Sequence, residues 1–238
     1  LQGGQDFISQ TYGQLKEAGV PMAALWMQDW VGTKTYPEGD RLQWNWQLNT
    51  HYYPDWQELV KGWSEDGVKP MIYLNPYFAN LTGSPFLRDN QFMQGIENGY
   101  FLKKSDGSPY IMNSVSIEMA IVDLTNEEAR TWVKSIIIEN LIKEAGAWGW
   151  MHDFGEYNPL DAVQADSSDP LTSHNDYPAQ WAKVVKEAIA ESGVPHRDQI
   201  VPFMRAGNSV SPKDTVLFWM GDQLPTFDQH DGLWSAMI

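Results

Sequence analysis

Hydrophobic positions along the chain follow two alternating periods. Over "GQDFISQTYGQLKEAGVPMAALWMQDW" they recur at helical spacing as far as Gly19, then run together from about Met22 until the polar pair Gln28 and Asp29. "DWQELVKGWSEDGVKPMIYLNPY" repeats the plan, with Gly67 ending the helix and Asn75 the strand. In "LTNEEARTWVKSIIIENLIKEAGAWGWMHDFGE" Thr125 and Glu128 have capping-box spacing, and Trp132, Ile136 and Ile137 form the apolar stripe. Gly146 stops that helix, and its strand ends at Asp153. "PAQWAKVVKEAIAESGVPHRDQIVPFMRAG" closes its helix at Gly193 and its strand at Arg205, and a last strand, "TVLFWMGDQ", ends at Asp222.

Helices alternating with near-continuous apolar strands predict an α/β fold with a parallel sheet covered on both faces. Polar residues stand at the carboxyl end of strand after strand, which favours a TIM (β/α)8 barrel over a doubly wound sheet. Neither G-x-G-x-x-G nor G-x-x-x-x-G-K-[ST] occurs. About five strands follow the plan, short of the eight a barrel closes with. A further β-like stretch covers 120–126, and "GLWSAMI" reads as the opening of a helix. The expectation is one partial barrel domain over residues 1–238, lacking its first and last strands. "NPYFANLTGSPFLRDNQF", "NGYFLKKSDGSPYIMNS" and "NPLDAVQADSSDPLTSHNDYP" read as long loops over its top.

Composition narrows the partners. The net charge of −15 opposes nucleic acid and anionic membrane surfaces, where Lys and Arg must replace counterions. No apolar run approaches the roughly 18 residues needed to span a bilayer, and no basic segment followed by an apolar one opens the chain. Zero Cys excludes disulfides and thiolate metal sites and fits a reducing compartment, so a cytoplasmic location is expected. Twelve Trp suit the apolar faces of sugar rings as well as they suit a core.

"GWMHDFGEYNP", residues 149–159, sets Asp153 and Glu156 among aromatic and apolar residues, where an ionised carboxylate must be paired or be part of a site. Asp153 and Asp222 end different strands, so a barrel could bring both to its mouth on opposite sides of a substrate. That is the two-carboxylate arrangement of glycosidases, retaining at about 5 to 5.5 Å and inverting at about 6.5 to 9.5 Å. Pattern alone leaves a second reading open, in which both acids pair with Arg205 or cap neighbouring helices. Strand alternation turns His152 to the opposite face. The other histidines show no ligand spacing, and neither a metal nor an organic cofactor is implied.

"GWMHDFGEY" resembles the nucleophile motif of glycoside hydrolase family 31, a Trp followed by Asp-x-x-Glu at a strand end, and "MRAG…FWMGDQ" resembles that family's Arg strand and acid/base strand. "LQGG", "MQDWVG", "GDRLQWNW" and "VDLTNEEA" are similar to its sulfoquinovosidase subgroup, in order along nearly the whole chain. The resemblance implies a retaining α-glycosidase acting on small-molecule α-sulfoquinovosides, with Asp153 as nucleophile and Asp222 as general acid/base. Arg205 would hold sugar hydroxyls, Glu156 would support them, and Gln2 would contact the sugar. Gln28, Arg41 and Trp44 match the subgroup's sulfonate-binding residues without insertion. A sulfonate is anionic at any biological pH, and Arg offers it a permanently charged fork. In isolation Arg41 would read as a surface ion pair with Asp40 or Glu38, and Trp44 as core packing. His152 departs from the small residue expected in relatives. A neutral-sugar α-glucosidase or α-xylosidase, and a non-catalytic carbohydrate-binding barrel, are the competing readings.

Overall fold

The computed structural model describes residues 1–114, 116–222, 224, 226–228, 230 and 232. Helix α1 (Gly4–Glu17) precedes strand β1 (Ala24–Trp26) and a hairpin of β2 (Thr33–Tyr36) and β3 (Gly39–Leu42). Helix α2 (Trp56–Glu65) leads into β4 (Lys69–Leu74) and β5 (Tyr77–Ala79), followed by helix α3 (Gln91–Asn98), β6 (Ile111–Ser114) and β7 (Ile117–Ile121). Helix α4 (Glu127–Ile136) continues with π geometry over Ile137–Glu144 into β8 (Gly149–His152); helix α5 (Pro170–Glu191) and β9 (Val201–Met204) complete the order.

Strands β1, β4, β8 and β9 lie side by side in chain order, all parallel. Sequential neighbours joined by helices are the wall of a barrel, whereas a doubly wound sheet reverses its order partway. Three helices bury their apolar stripes against this wall: Trp56 and Trp63 from α2, Val133 and Ile137 from the α4 run, and Trp181, Val184 and Val185 from α5 are all nearly inaccessible to solvent. Gly67, at φ 79°, ends α2 in the left-handed conformation that a residue without Cβ adopts without strain.

The segment expected as a fifth strand pairs with β9 through a single parallel bridge, Met204 to Phe218, flanked by the bonds Met204 N–H to Leu217 O and Trp219 N–H to Met204 O. Its ladder is therefore too short to register as a strand. The helix expected over "GLWSAMI" falls on residues 233–238, outside those described. Thr125 does not cap α4: its hydroxyl donates to Asp123, and Asn126 accepts the N–H groups of Glu128 and Ala129 instead.

Two of the three expected loops are an ordered insertion. β5, β7 and β6 form an antiparallel sheet with α3 beside it, carried between β4 and α4. Their Gly, Pro, Asn and Ser content reads as loop, but β7 buries Ile117, Ala120 and Ile121. The β-like stretch at 120–126 is thus the end of β7, shifted towards the N-terminus. The third stretch is loop only as far as Asp169 and then enters α5, because Asp169 caps the N–H of Thr172 and Pro170 occupies the first turn; the buried Pro178, read as a boundary, lies inside α5. Among the described residues no helix is long and apolar enough to cross a membrane.

Gly149 is where β8 and β9 approach most tightly: a Cβ there would lie 2.3 Å from the Val201 carbonyl oxygen. Gly149→Ala is expected to cost about 1–3 kcal/mol or more by forcing the strands apart, read as a lowered thermal unfolding midpoint.

Candidate active site

The parallel register sets three polar residues level at the carboxyl edge of the wall. Leu74, His152 and Met204 are aligned partners on β4, β8 and β9, so the residues that follow them, Asn75, Asp153 and Arg205, stand side by side. Asp153 is 6% exposed. Its Oδ2 accepts the Tyr73 hydroxyl at 2.5 Å, and its Oδ1 lies 3.2 Å from Arg205 Nε without accepting a hydrogen bond. Burial lifts the Asp153 carboxyl above the ordinary 3.8, opposed by the Tyr73 hydrogen bond and the Arg205 charge. Arg205 also donates to Glu156 through Nη2, so one guanidinium serves both acids of the Asp-x-x-Glu motif.

The chain turns sharply after Asp153. Phe154 takes φ 59°, a left-handed conformation costly for a bulky residue, and its ring lies under the Arg205 guanidinium at 4.2 Å. The same ring meets Trp44 edge-on at 5.8 Å and Tyr77 at 5.7 Å, while Trp44 and Tyr77 stack at 5.7 Å. Aromatic packing thus joins the carboxylate to the residues beyond the β2–β3 hairpin.

A cavity of about 540 Å³ opens beside this edge, and Asp153, Phe154, Tyr73, Trp44, Arg41 and Gln28 are among its walls. Gln2, Asp29 and Asp40 line it as well. Of the residues singled out from sequence, Gln2, Gln28, Arg41, Trp44 and Asp153 therefore share one cavity. Arg41 lies opposite Lys34 across the hairpin, two cations face to face, and among the described residues neither forms an ion pair. Asp40 is engaged by the Thr35 hydroxyl at 2.6 Å, and Glu38 by Ser116 at 2.7 Å. The surface ion pair that Arg41 would form by default is not made.

Asp222 is exposed and lines a different cavity of about 590 Å³, together with Glu156, Arg205 and Trp219. Asp153 and Asp222 thus line different cavities, and Arg205, a wall of the second, pairs with Asp153.

Sequence reasoning passes over three residues of this edge. Tyr73 reads as apolar filler in "MIYLNP", Phe154 carries no signal for its backbone conformation, and Asp29 reads as a strand end. Asp29 is fully buried and accepts the N–H groups of Gly3 and Gly4, at 2.6 and 3.1 Å, and the Tyr53 hydroxyl. The one signal for it is a carboxylate beside Gln28 at the end of an apolar run.

The profile described as the glycosyl hydrolases family 31 TIM-barrel domain matches residues 3–238, and the chain belongs to that family. It is 36% identical to a sulfoquinovosidase of Escherichia coli over 238 residues, all of this chain and 34% of the relative. A solved family 31 sulfoquinovosidase from E. rectale, bound to an aza-sugar inhibitor, superposes with a TM-score of 0.89 at 38% identity, covering 100% of this chain and 34% of that one. An α-xylosidase of Emericella nidulans is 29% identical over 188 residues, 78% of this chain and 23% of the relative. The chain thus spans about a third of the length of the sulfoquinovosidases it matches.

His152, next to the central carboxylate, is fully buried against α5, its ring 6.3 Å from Trp181 and both nitrogens without hydrogen bonds. Burial pushes its pKa from 6.5 down to about 3. The unfolded chain therefore takes up a proton below pH 6.5 that the native state refuses, and stability falls on acidification by up to about 1.4 kcal/mol per pH unit across that window. His152→Met is expected to flatten this slope, compared by denaturant unfolding at about pH 7.5 and about pH 5.

Proposed function

We propose that the protein is a retaining α-glycosidase that hydrolyses α-sulfoquinovosides, and that residues 1–238 act as one catalytic barrel domain in it. The observation that carries this reading is Arg41: an exposed guanidinium that makes no close ion pair among the described residues, though its charge reaches Glu38, and that lines the same cavity as the buried carboxylate of Asp153. A neutral sugar would leave that cation uncompensated, whereas a sulfonate fills its fork, with the Gln28 amide and the Trp44 indole available to the remaining oxygen. Similarity to the two sulfoquinovosidases over the full chain supports the same substrate.

In this mechanism Asp153 attacks the anomeric carbon while Asp222 protonates the departing oxygen; Asp222 then takes a proton from water as water releases the sugar from Asp153. Asp222 acts from the neighbouring cavity once the bound sugar bridges the two. Gln2 contacts the sugar, Arg205 binds its hydroxyls, and Glu156 keeps Arg205 in place. No metal or organic cofactor has a part in these steps.

Asp153→Asn is expected to abolish turnover of an activated aryl α-sulfoquinovoside in the full chain; activity near the unsubstituted level would reject Asp153 as nucleophile. Arg41→Ala is expected to lower kcat/KM on the sulfosugar by about 100-fold and to spare the neutral aryl α-glucoside and α-xyloside. Equal losses on all three would favour a neutral-sugar enzyme, the reading that the α-xylosidase similarity supports.

A further inference from the structure

Asp153 is the end of a chain of buried donors that begins in the backbone. Asn75, fully buried, accepts the Tyr77 N–H on Oδ1 at 2.9 Å, which settles which end of its amide is which. Its Nδ2 then faces the Tyr73 hydroxyl at 3.3 Å as a donor. A phenol that accepts from Asn75 has its own proton to give, and the acceptor in reach is Asp153 Oδ2 at 2.5 Å. Burial, reinforced by the Asp153 charge, raises the Tyr73 pKa well above 10, so the proton stays on the phenol. Tyr73 and Asn75 both come from the end of β4, the strand paired with β8 in a register that leaves no freedom in their placement.

We infer that Tyr73 and Asn75 are positioning residues for the glycosyl transfer: they pin Oδ2 of Asp153 and so fix how its carboxylate faces the anomeric carbon. The inference rests on Asp153 being the nucleophile. Oδ1 is buried and faces the Arg205 charge, with Nε at 3.2 Å, so the carboxylate is held from both sides. As the bond from the Asp153 carboxylate to the anomeric carbon forms, the bond to the leaving oxygen breaks, and that oxygen takes its electron pair and a proton from the general acid. When water displaces the sugar, the electron pair returns to the carboxylate and is shared with Oδ2, where the phenol proton is already aimed. A donor fixed at the site of developing charge accelerates that step without reorganising. A carboxylate free to rotate would instead present either oxygen, or neither, to the anomeric carbon.

Tyr73→Phe keeps the ring and removes only the donor. On an aryl α-sulfoquinovoside with the full chain, kcat is expected to fall about 10- to 100-fold with KM within about twofold. The acid limb of kcat/KM should move to higher pH, since a hydrogen bond that favours the ionised carboxylate is lost. Asn75→Ala, which leaves the phenol but frees its proton to turn away, should change both quantities in the same direction by less. Thermal unfolding of each variant and its affinity for free sulfoquinovose separate positioning from misfolding. An unshifted acid limb with kcat at the unsubstituted level in both variants, while Asp153→Asn is inactive, would overturn the positioning role and leave the nucleophile standing. Activity retained in Asp153→Asn would overturn both.

Discussion

Removing a carboxylate from water costs several kcal/mol unless charge and hydrogen bonds replace its hydration, and Asp153 has to meet that cost at the end of a fully buried strand. Three neighbouring strands meet it together, since β4 sends the Tyr73 hydroxyl, β8 carries the acid, and β9 sends the Arg205 guanidinium. None of these contacts is local in sequence. They exist because the parallel register holds Leu74, His152 and Met204 abreast, and because Gly149 lets β8 and β9 close to backbone contact at the other end of the pair. The fold and the site are therefore one problem. A slip of one residue in either pairing would turn Asp153 toward α5, where His152 already occupies an unsolvated, unpartnered position that a charge could not tolerate.

The compensation is incomplete, and the incompleteness is chemically useful. Burial still outweighs Tyr73 and Arg205, leaving the acid above its ordinary range. A carboxylate satisfied on both oxygens would be a poor nucleophile, whereas this one holds one oxygen tightly and the other by charge alone. The left-handed turn at Phe154 belongs to the same balance. Such a conformation costs about 1–3 kcal/mol and persists because its surroundings hold it. Here the Arg205 guanidinium rests on the Phe154 ring, and Trp44 and Tyr77 pack against its edge. The strain thereby couples the acid to Trp44, a wall of the cavity in which the anion is proposed to sit.

Much of this was legible in the sequence because polar residues at strand ends interrupt apolar runs: Gln28, Asn75, Asp153 and Arg205 each mark the carboxyl edge of the wall. Helix terminators were legible for a similar reason, since a left-handed residue at a helix end selects glycine. What escaped was conformation fixed by distant partners. The Asn126 cap outcompeted Thr125 because Asp123 had engaged the Thr125 hydroxyl, a contact between residues that capping rules treat separately. The antiparallel insertion hid behind its turn-forming residues, and Pro178 suggested a boundary inside what is a continuous helix. The twelve Trp illustrate the limit of composition. Trp26, Trp30 and Trp46 donate to the carbonyls of Ile72, Tyr73 and Tyr77 and fasten the chain around the hairpin to the end of β4 and the start of β5, whereas Trp44 alone of these four faces the cavity as a wall.

Net charge and local charge point in opposite directions for an anionic substrate, and their ranges decide between them. A field from −15 charges spread over the surface is screened within about 8 Å at physiological ionic strength, and it slows an approaching anion without distinguishing one cavity wall from another. Selection between a sulfosugar and a neutral sugar is a difference taken inside the cavity, between one ligand that compensates Arg41 and one that does not. There the relevant energies are charge-assisted hydrogen bonds of about 1.5–3 kcal/mol each. Lys34, opposite Arg41 in the hairpin register, would add to the preference for an anion on the proposed reading, since like charges on directly paired strand positions repel. The acidic surface and the basic pair are compatible because one acts on arrival and the other on recognition.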